Sequence, residues 1–363
     1  MLSGSIFLEA FIVFYCWNAV SPHGVFTPSN TCTRQGMEQF YQKPDMFPYQ
    51  SIEEIDFPTV DRDTPRIPHI LHQIYNEKYI PTIYIEFVES FLRFNPSWQY
   101  RFWTYSSGRK LLQLRFPHLL ETFDGFGNSV EKADMLRYLV LYEYGGVYAD
   151  LDMEFYKPLD RLTMKYAAII GLEPREHAAL KYNRFYALIN CFMMSRPKHP
   201  FFKLVLDGLL GAKAVGKPVL TTGPAYITNL FKQYNGINKD NENEVKIEFS
   251  SNSPNFFKGY RREEDNDNVY LPNSQYVMNN IKENVLSVLN DICFVEDITK
   301  LPYFQYQACL EFHRRKTVRE NMKFTYAEHH WSCLWKKSKE FIINLGRVYI
   351  GDIVKNCTFY EEP

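Results

Sequence analysis

Two hydrophobic periods alternate along this chain. Short apolar runs at residues 67–74 and 100–104 read as strands, and residues 83–94 carry apolar positions at helical spacing between them. From Glu131 onward, Leu136, Leu139, Val140 and Tyr144 recur at helical spacing, which predicts a helix with one apolar face. Gly145 and Gly146 stand where a left-handed C-cap is wanted, so the chain is expected to reverse there. Val147-Tyr-Ala then forms a short strand that runs into Asp150-Leu-Asp152. Further apolar runs at 167–171 and 187–194 and a helical pattern at 200–210 continue the alternation. Residues 233–275 turn polar, and the 238–243 stretch within them reads as a surface loop. Strands separated by helices predict an α/β sandwich with a mostly parallel central sheet.

That pattern decides where chemistry belongs. In such sheets ligands bind beyond the carboxyl ends of the strands. Asp150 and Asp152 fall there, on one side of the chain, and paired carboxylates at such a place suit a hard divalent cation shared with substrate phosphates. The chain carries two other Asp-x-Asp matches, Asp61-Arg-Asp63 and Asp265-Asn-Asp267, both in charged surroundings that read as solvated loops. Asp134 and Arg137 are three residues apart and project from one side of the predicted helix.

Residues 132–160 closely resemble the sugar-binding region of the DXD-containing glycosyltransferases of family 32, nearest to the inositol-phosphoceramide mannosyltransferase-like branch. Ile67-Pro-His-Ile-Leu-His-Gln-Ile-Tyr75, Asn95-Pro-Ser-Trp98, Phe102-Trp-Thr104, Thr222-Gly-Pro224 and His329-His-Trp-Ser-Cys-Leu-Trp335 fall in that family's order. The resemblance implies a GT-A type, Rossmann-like nucleotide-sugar fold and a retaining, metal-dependent hexosyl transfer. It implies Asp152 as a direct ligand of Mn2+ or Mg2+, with Asp150 acting through water or on the donor ribose and His330 as a further metal contact. The donor site it implies comprises Gln73, Tyr75, Asp134, Arg137, Gly146, Tyr148, Asp150 and Trp335, with Tyr75 stacked on the base. Thr222, Gly223 and Pro224 would line the acceptor side. GDP-mannose fits the closest branch, and a UDP-hexose (galactose or N-acetylglucosamine) is the alternative donor; the acceptor would be an inositol-phosphoceramide-like glycolipid or a glycan. Cys333 and Leu334 depart from the pattern, standing where the family usually has Gly and Ser.

Composition narrows the rest. Net charge is -1, from 41 basic and 42 acidic residues, which leaves no electrostatic footprint for nucleic acid. Residues 6–20 are nearly all apolar but short for a spanning helix, and they suit a signal-anchor or signal peptide within 1–25. Residues 26–65 read as a stem, 66–340 as the transferase domain and 341–363 as a C-terminal tail. A type II arrangement in the Golgi membrane, with the domain in the lumen, is the expected location; endoplasmic reticulum or secretion are the alternatives. Of seven cysteines, Cys16 lies in the apolar segment, and the six others permit disulfides whose pairing the sequence leaves open. Asn356-Cys-Thr358 is a glycosylation sequon. Two other function classes stay open, a metal-dependent phosphodiesterase and a catalytically silent carbohydrate-binding relative.

Overall fold

The computed structural model describes residues 57, 59–60, 63–184, 186–212, 217–236, 267–317 and 324–360. These belong to the second of two units, Gln50–Pro363; the first is Met1–Tyr49. The expected signal segment at 1–25 lies outside the described residues, as does most of the expected stem. Among the described residues no helix is long and apolar enough to cross a membrane.

The described residues form ten strands: β1 (Ile70–Tyr75), β2 (Tyr79–Pro81), β3 (Gln99–Thr104), β4 (Gly146–Ala149), β5 (Met153–Phe155), β6 (Ala168–Leu172), β7 (Leu188–Ser195), β8 (Ala327–His329), β9 (Arg347–Tyr349) and β10 (Cys357–Phe359). The central sheet has the order β10-β3-β1-β4-β7-β6. Pairing is parallel from β10 through β3 and β1 to β4, and antiparallel on both sides of β7, so β7 alone runs against the other five. The expected α/β sandwich with a mostly parallel sheet is therefore the observed fold. Two short ribbons, β2 with β9 and β5 with β8, flank it.

Each strand next to the site has a local reason. Asn128 caps the helix Ser129–Tyr144 by accepting from the Val130 N–H at 3.0 Å, and Gly145 closes it at φ 65°. A side chain at Gly146 would meet the Ile70 carbonyl at 2.5 Å, so β4 approaches β1 closely only because that residue has none. His72 of β1 is fully buried beneath this turn. Its Nδ1 accepts from the Trp103 indole at 3.0 Å, which leaves Nε2 to donate to the Gly145 carbonyl at 2.9 Å. Burial pushes the imidazole down to about 3, so it stays neutral and the tautomer is fixed.

The main core lies on the face covered by Ser129–Tyr144, Pro200–Gly208 and Pro224–Tyr234. The helix Ile85–Phe94 packs on the other face, where Phe91 meets Phe155 edge-on at 5.2 Å. A separate small core joins Arg175–Tyr182 to the helices Glu283–Ile292 and Tyr303–Thr317, and the disulfide Cys293–Cys309 lies inside it. Cys191, Cys333 and Cys357 are free thiols. The bridge closes a loop with a sequence separation of 16. Replacing both cysteines by alanine is expected to cost about 3 kcal/mol, read as a fall in the denaturation midpoint of this helical hairpin.

Two boundaries differ from the sequence reading. Phe57, inside the stretch expected as a stem, is fully buried and meets Tyr166, Tyr270, Tyr276 and Tyr326 edge-on. The stretch expected as a tail supplies β9 and the sheet-edge strand β10. Its apolar residues are interrupted by Asn344, Arg347 and Asp352, so they form no continuous run of the kind that marks a central strand.

Candidate active site

The site grows from the end of β4. The Asp150 main chain is held from both sides, its N–H bonding the Cys191 carbonyl of β7 at 2.8 Å and its carbonyl accepting from Gln73 of β1 at 3.3 Å. Leu151 and Asp152 turn the chain into β5. Pairing of β5 with β8 sets Met153 opposite His329, and the His330 N–H bonds the Asp152 carbonyl at 3.0 Å. This register brings residues nearly two hundred positions apart into one cluster.

Each aspartate has one oxygen committed to protein and one turned inward. Asp150 Oδ1 accepts from the Tyr148 hydroxyl at 2.5 Å and lies 3.2 Å from Arg137. Asp152 Oδ2 accepts from the Ser332 N–H at 2.8 Å and its hydroxyl at 2.7 Å. The remaining oxygens face His329 Nε2, Asp152 Oδ1 at 3.1 Å and Asp150 Oδ2 at 3.9 Å. Ligand atoms from Asp150, Asp152 and His329 all lie within 4.8 Å of one another. Two carboxylates and an imidazole at this spacing fit a divalent cation such as Mn2+, which accepts both oxygen and nitrogen donors.

Charge is arranged around that point. Burial would raise Asp152, yet the His329 imidazolium and the two Ser332 hydrogen bonds hold it well below the carboxylate range. Burial would lower His329, and attraction to Asp152 and Asp150 raises it instead. Both carboxylates thus favour positive charge at Nε2, the side on which a bound cation would sit. Burial raises Asp150 despite Arg137. Asp134 is pushed up to about 6 by burial, against the pull of Arg137 and hydrogen bonds from Thr222 and Asn190.

Behind the aspartates lies a closed polar layer. Arg137 bridges Asp134 and Asp150, each at 3.2 Å, donates to the Asn190 carbonyl at 2.6 Å, and stacks on Tyr148 at 4.6 Å. Asp134 accepts from Asn190 at 2.8 Å and from the Thr222 hydroxyl at 2.6 Å. Asp134, Arg137, Tyr148, Asp150 and Asp152 therefore assemble as one unit; spacing predicted a common side for Asp134 and Arg137, and the family resemblance implied the rest.

Several expected positions fall elsewhere. His330 turns away from the aspartates, pairing with Glu154 at 2.7 Å and stacking on Phe87, and His329 takes its place. Alternation along β8 makes the two histidines point apart, and the register with β5 selects the first. Thr222 is fully buried against Asp134, so it belongs to the inner layer rather than the acceptor side. Gly223 and Pro224 start the helix Pro224–Tyr234. Gly146 permits the close β1–β4 approach, and Gln73 spends its amide on Asp150 and Tyr100, so both act on the backbone of the site. Tyr75 is half-buried, edge-on to Tyr84 at 6.4 Å. The side chain of Trp335 lies outside the described residues.

Asn190 escaped the sequence reading, and His329 and Ser332 entered it only as members of the motif His329–Trp335, with His330 expected as the metal contact. Asn190 had a signal, being the polar residue within the apolar run Leu188–Ser195. Ser332 lay within a quoted motif, but its hydrogen bonds to Asp152 depend on a long-range register.

An α/β sheet carrying a carboxylate pair at the mouth of β4 places acidic side chains where ligands bind in such folds and where a divalent cation would find oxygen donors. Residues 81–169, which hold Asp134, Arg137, Asp150 and Asp152, match the family described as glycosyltransferase sugar-binding region containing DXD motif. That segment, about a quarter of the chain, is similar to the sugar-binding region of the DXD glycosyltransferases. Inositol phosphoceramide mannosyltransferase 2 of Schizosaccharomyces pombe is 32% identical over 47% of this chain and 48% of its own length. A mannosyl phosphorylinositol ceramide synthase of Saccharomyces cerevisiae is 32% identical over 46% of this chain and 42% of its own. An uncharacterized glycosyltransferase of Acanthamoeba polyphaga mimivirus is 29% identical over 48% of this chain and 69% of its own. The chain spans about half the length of the first two relatives.

Proposed function

We propose that this protein is a metal-dependent glycosyltransferase that moves mannose from GDP-mannose to an inositol-phosphoceramide-like lipid. The observation that carries this reading is the three-ligand cluster of Asp150, Asp152 and His329, with one oxygen of each aspartate already fixed by protein donors. The mannosyl and lipid parts rest on the names of the relatives.

Asp150, Asp152 and His329 would hold Mn2+ or Mg2+, which stabilises the charge that a departing nucleoside diphosphate develops. Tyr148, Arg137 and Ser332 keep the carboxylates oriented, so little reorganisation is required when the donor arrives. Arg137 also neutralises the buried Asp134 beneath Asp150. The Tyr75 ring at the end of β1 is the proposed base-stacking surface, a contact that tolerates guanine or uracil alike. Retention of anomeric configuration belongs to the same reading.

We also propose a Golgi-lumenal location with residues 1–25 as the membrane anchor. The Cys293–Cys309 bridge supports an oxidising compartment.

Hydrolysis of a nucleotide-sugar panel by the purified chain, with and without manganese, tests the reading. Manganese-dependent release of GDP from GDP-mannose is expected. Release of UDP from a UDP-hexose would replace the mannosyl assignment, and cleavage of simple phosphate esters alone would replace the transferase by a phosphodiesterase.

A further inference from the structure

Beside the metal-type cluster stands a second constellation that the proposed transfer does not use. Its centre is Trp331, next to the β8 strand that carries His329. Trp331 has φ 54°, in the left-handed region that large side chains rarely adopt, and Cys333 has φ 47°. Its ring meets His329 edge-on at 4.5 Å and His177 at 5.0 Å. The ammonium groups of Lys181 and Lys282 lie 4.8 and 5.7 Å from the ring centre.

The two lysines are held there by a buried relay. His177 Nε2 accepts from the Lys282 main-chain N–H at 3.0 Å. Its Nδ1 must then carry the proton and donate to Glu173 Oε2 at 3.3 Å. Burial lowers His177, which keeps it neutral, and Glu173 also receives Lys181 at 3.3 Å and the Tyr182 hydroxyl at 3.1 Å. Glu173 thus offsets one of the two lysine charges. Lys282 has no carboxylate within ion-pair distance among the described residues, and its ammonium meets the Cys333 sulfur at 3.1 Å, a weak acceptor.

Two buried donors beside these lysines also lack partners, Trp331 Nε1 and His329 Nδ1, and His329 is 8% exposed. Buried N–H groups without acceptors are rare and call for an explanation. One uncompensated ammonium, a second shared one and unpaired ring nitrogens within a few ångströms of the cluster have a common chemical complement, an anion rich in acceptor oxygens.

We infer that Lys181, Lys282 and Trp331 form a phosphodiester-binding subsite for the acceptor, adjacent to the Asp150–Asp152–His329 cluster. This rests on the transferase reading above and adds how a phosphate-bearing acceptor is told from a neutral sugar. The acceptor phosphodiester would sit between the lysines while its ring hydroxyl faces the donor. Glu173 and His177 are positioning residues, since they act through the lysines.

The test uses the full chain and the variants Lys181→Met, Lys282→Met and the double variant, which keep the aliphatic stems against Trp331. Glycerophosphoinositol serves as a soluble phosphodiester acceptor and free inositol as its neutral counterpart. Each single variant is expected to raise KM for glycerophosphoinositol about tenfold, the effect of removing one charge-assisted contact. Metal-dependent hydrolysis of the donor and KM for free inositol should stay unchanged. A rise in donor KM would assign the lysines to the donor diphosphate and overturn the inference, as would an unchanged KM for glycerophosphoinositol. Calorimetric titration in the absence of donor separates this from failure of the transferase reading. If no nucleotide sugar is turned over, weaker glycerophosphoinositol binding by the double variant still upholds the subsite, and equal binding refutes it. Inorganic phosphate binding as tightly as glycerophosphoinositol would mark a simple phosphate site and overturn the acceptor assignment.

Discussion

Asp152→Asn is expected to lower metal-dependent transfer on the order of a thousandfold while the protein remains folded. Asp152 turns Oδ1 towards His329 and gives Oδ2 to Ser332, so the carboxamide fits the same space but loses the charge that would hold a cation. A bound metal contributes several kcal/mol to the stabilisation of a departing diphosphate, and each 1.36 kcal/mol corresponds to a factor of ten. The measurement is turnover at saturating manganese, paired with thermal unfolding of the same sample. The comparison variant is His330→Asn. Because His330 faces Glu154 and Phe87, it should keep turnover within about twofold, whereas His329→Asn should fall with Asp152→Asn. Equal losses at both histidines would reject the assignment of His329.

Arg137→Met is expected to be the most destabilising single change near the site, by about 3–5 kcal/mol in chemical denaturation. Arg137 is 6% exposed, and its guanidinium lies between two carboxylates, Asp134 and Asp150. Removing it leaves the buried Asp134 and the partly buried Asp150 facing an empty centre, and the cost is that of unpaired charge rather than of lost volume. The pH dependence gives the sign. Asp134 has a folded value of about 6 even with Arg137 present, above the usual carboxylate value, so the folded state holds a proton there more tightly than the unfolded chain. That contribution to stability is full below the unfolded value and is lost as pH rises through about 6. Without Arg137 the folded value rises further, so the deficit of the variant should be larger at pH 7 than at pH 4. Asp134→Asn in the same background should recover part of it. A deficit independent of pH would mean that packing, not charge, is what Arg137 supplies. Arg137→Lys keeps a charge but not the fork, so it should fold and show a higher donor KM with lower turnover.

The neighbourhood of Asp150 was legible because it is local. A helix, a glycine pair, a short strand and two aspartates follow one another within about twenty residues, and each depends on periodicity or backbone freedom that the sequence states directly. Asp134 and Arg137 were legible for the same reason, since three residues along a helix fix a common side. What failed depended on pairing between distant segments. His329 and His330 are chemically identical, and only the β5–β8 register, Met153 opposite His329, distinguishes them. Thr222 lies in a turn whose partner is 88 residues away, and no local signal says whether that turn faces solvent or Asp134.

The same division holds for the whole chain. The sequence by itself determined the alternation of strands and helices, the reversal at Gly145–Gly146, and the two carboxylates beyond β4, because period, chain stiffness and charge act over a few residues. Tertiary structure decided which oxygen of each aspartate stays available, which histidine joins them, that Cys293 pairs with Cys309, and that β10 closes the sheet edge. Those choices follow from strand register and burial, which are settled by the packing of segments far apart in the chain and carry no signature in any one of them.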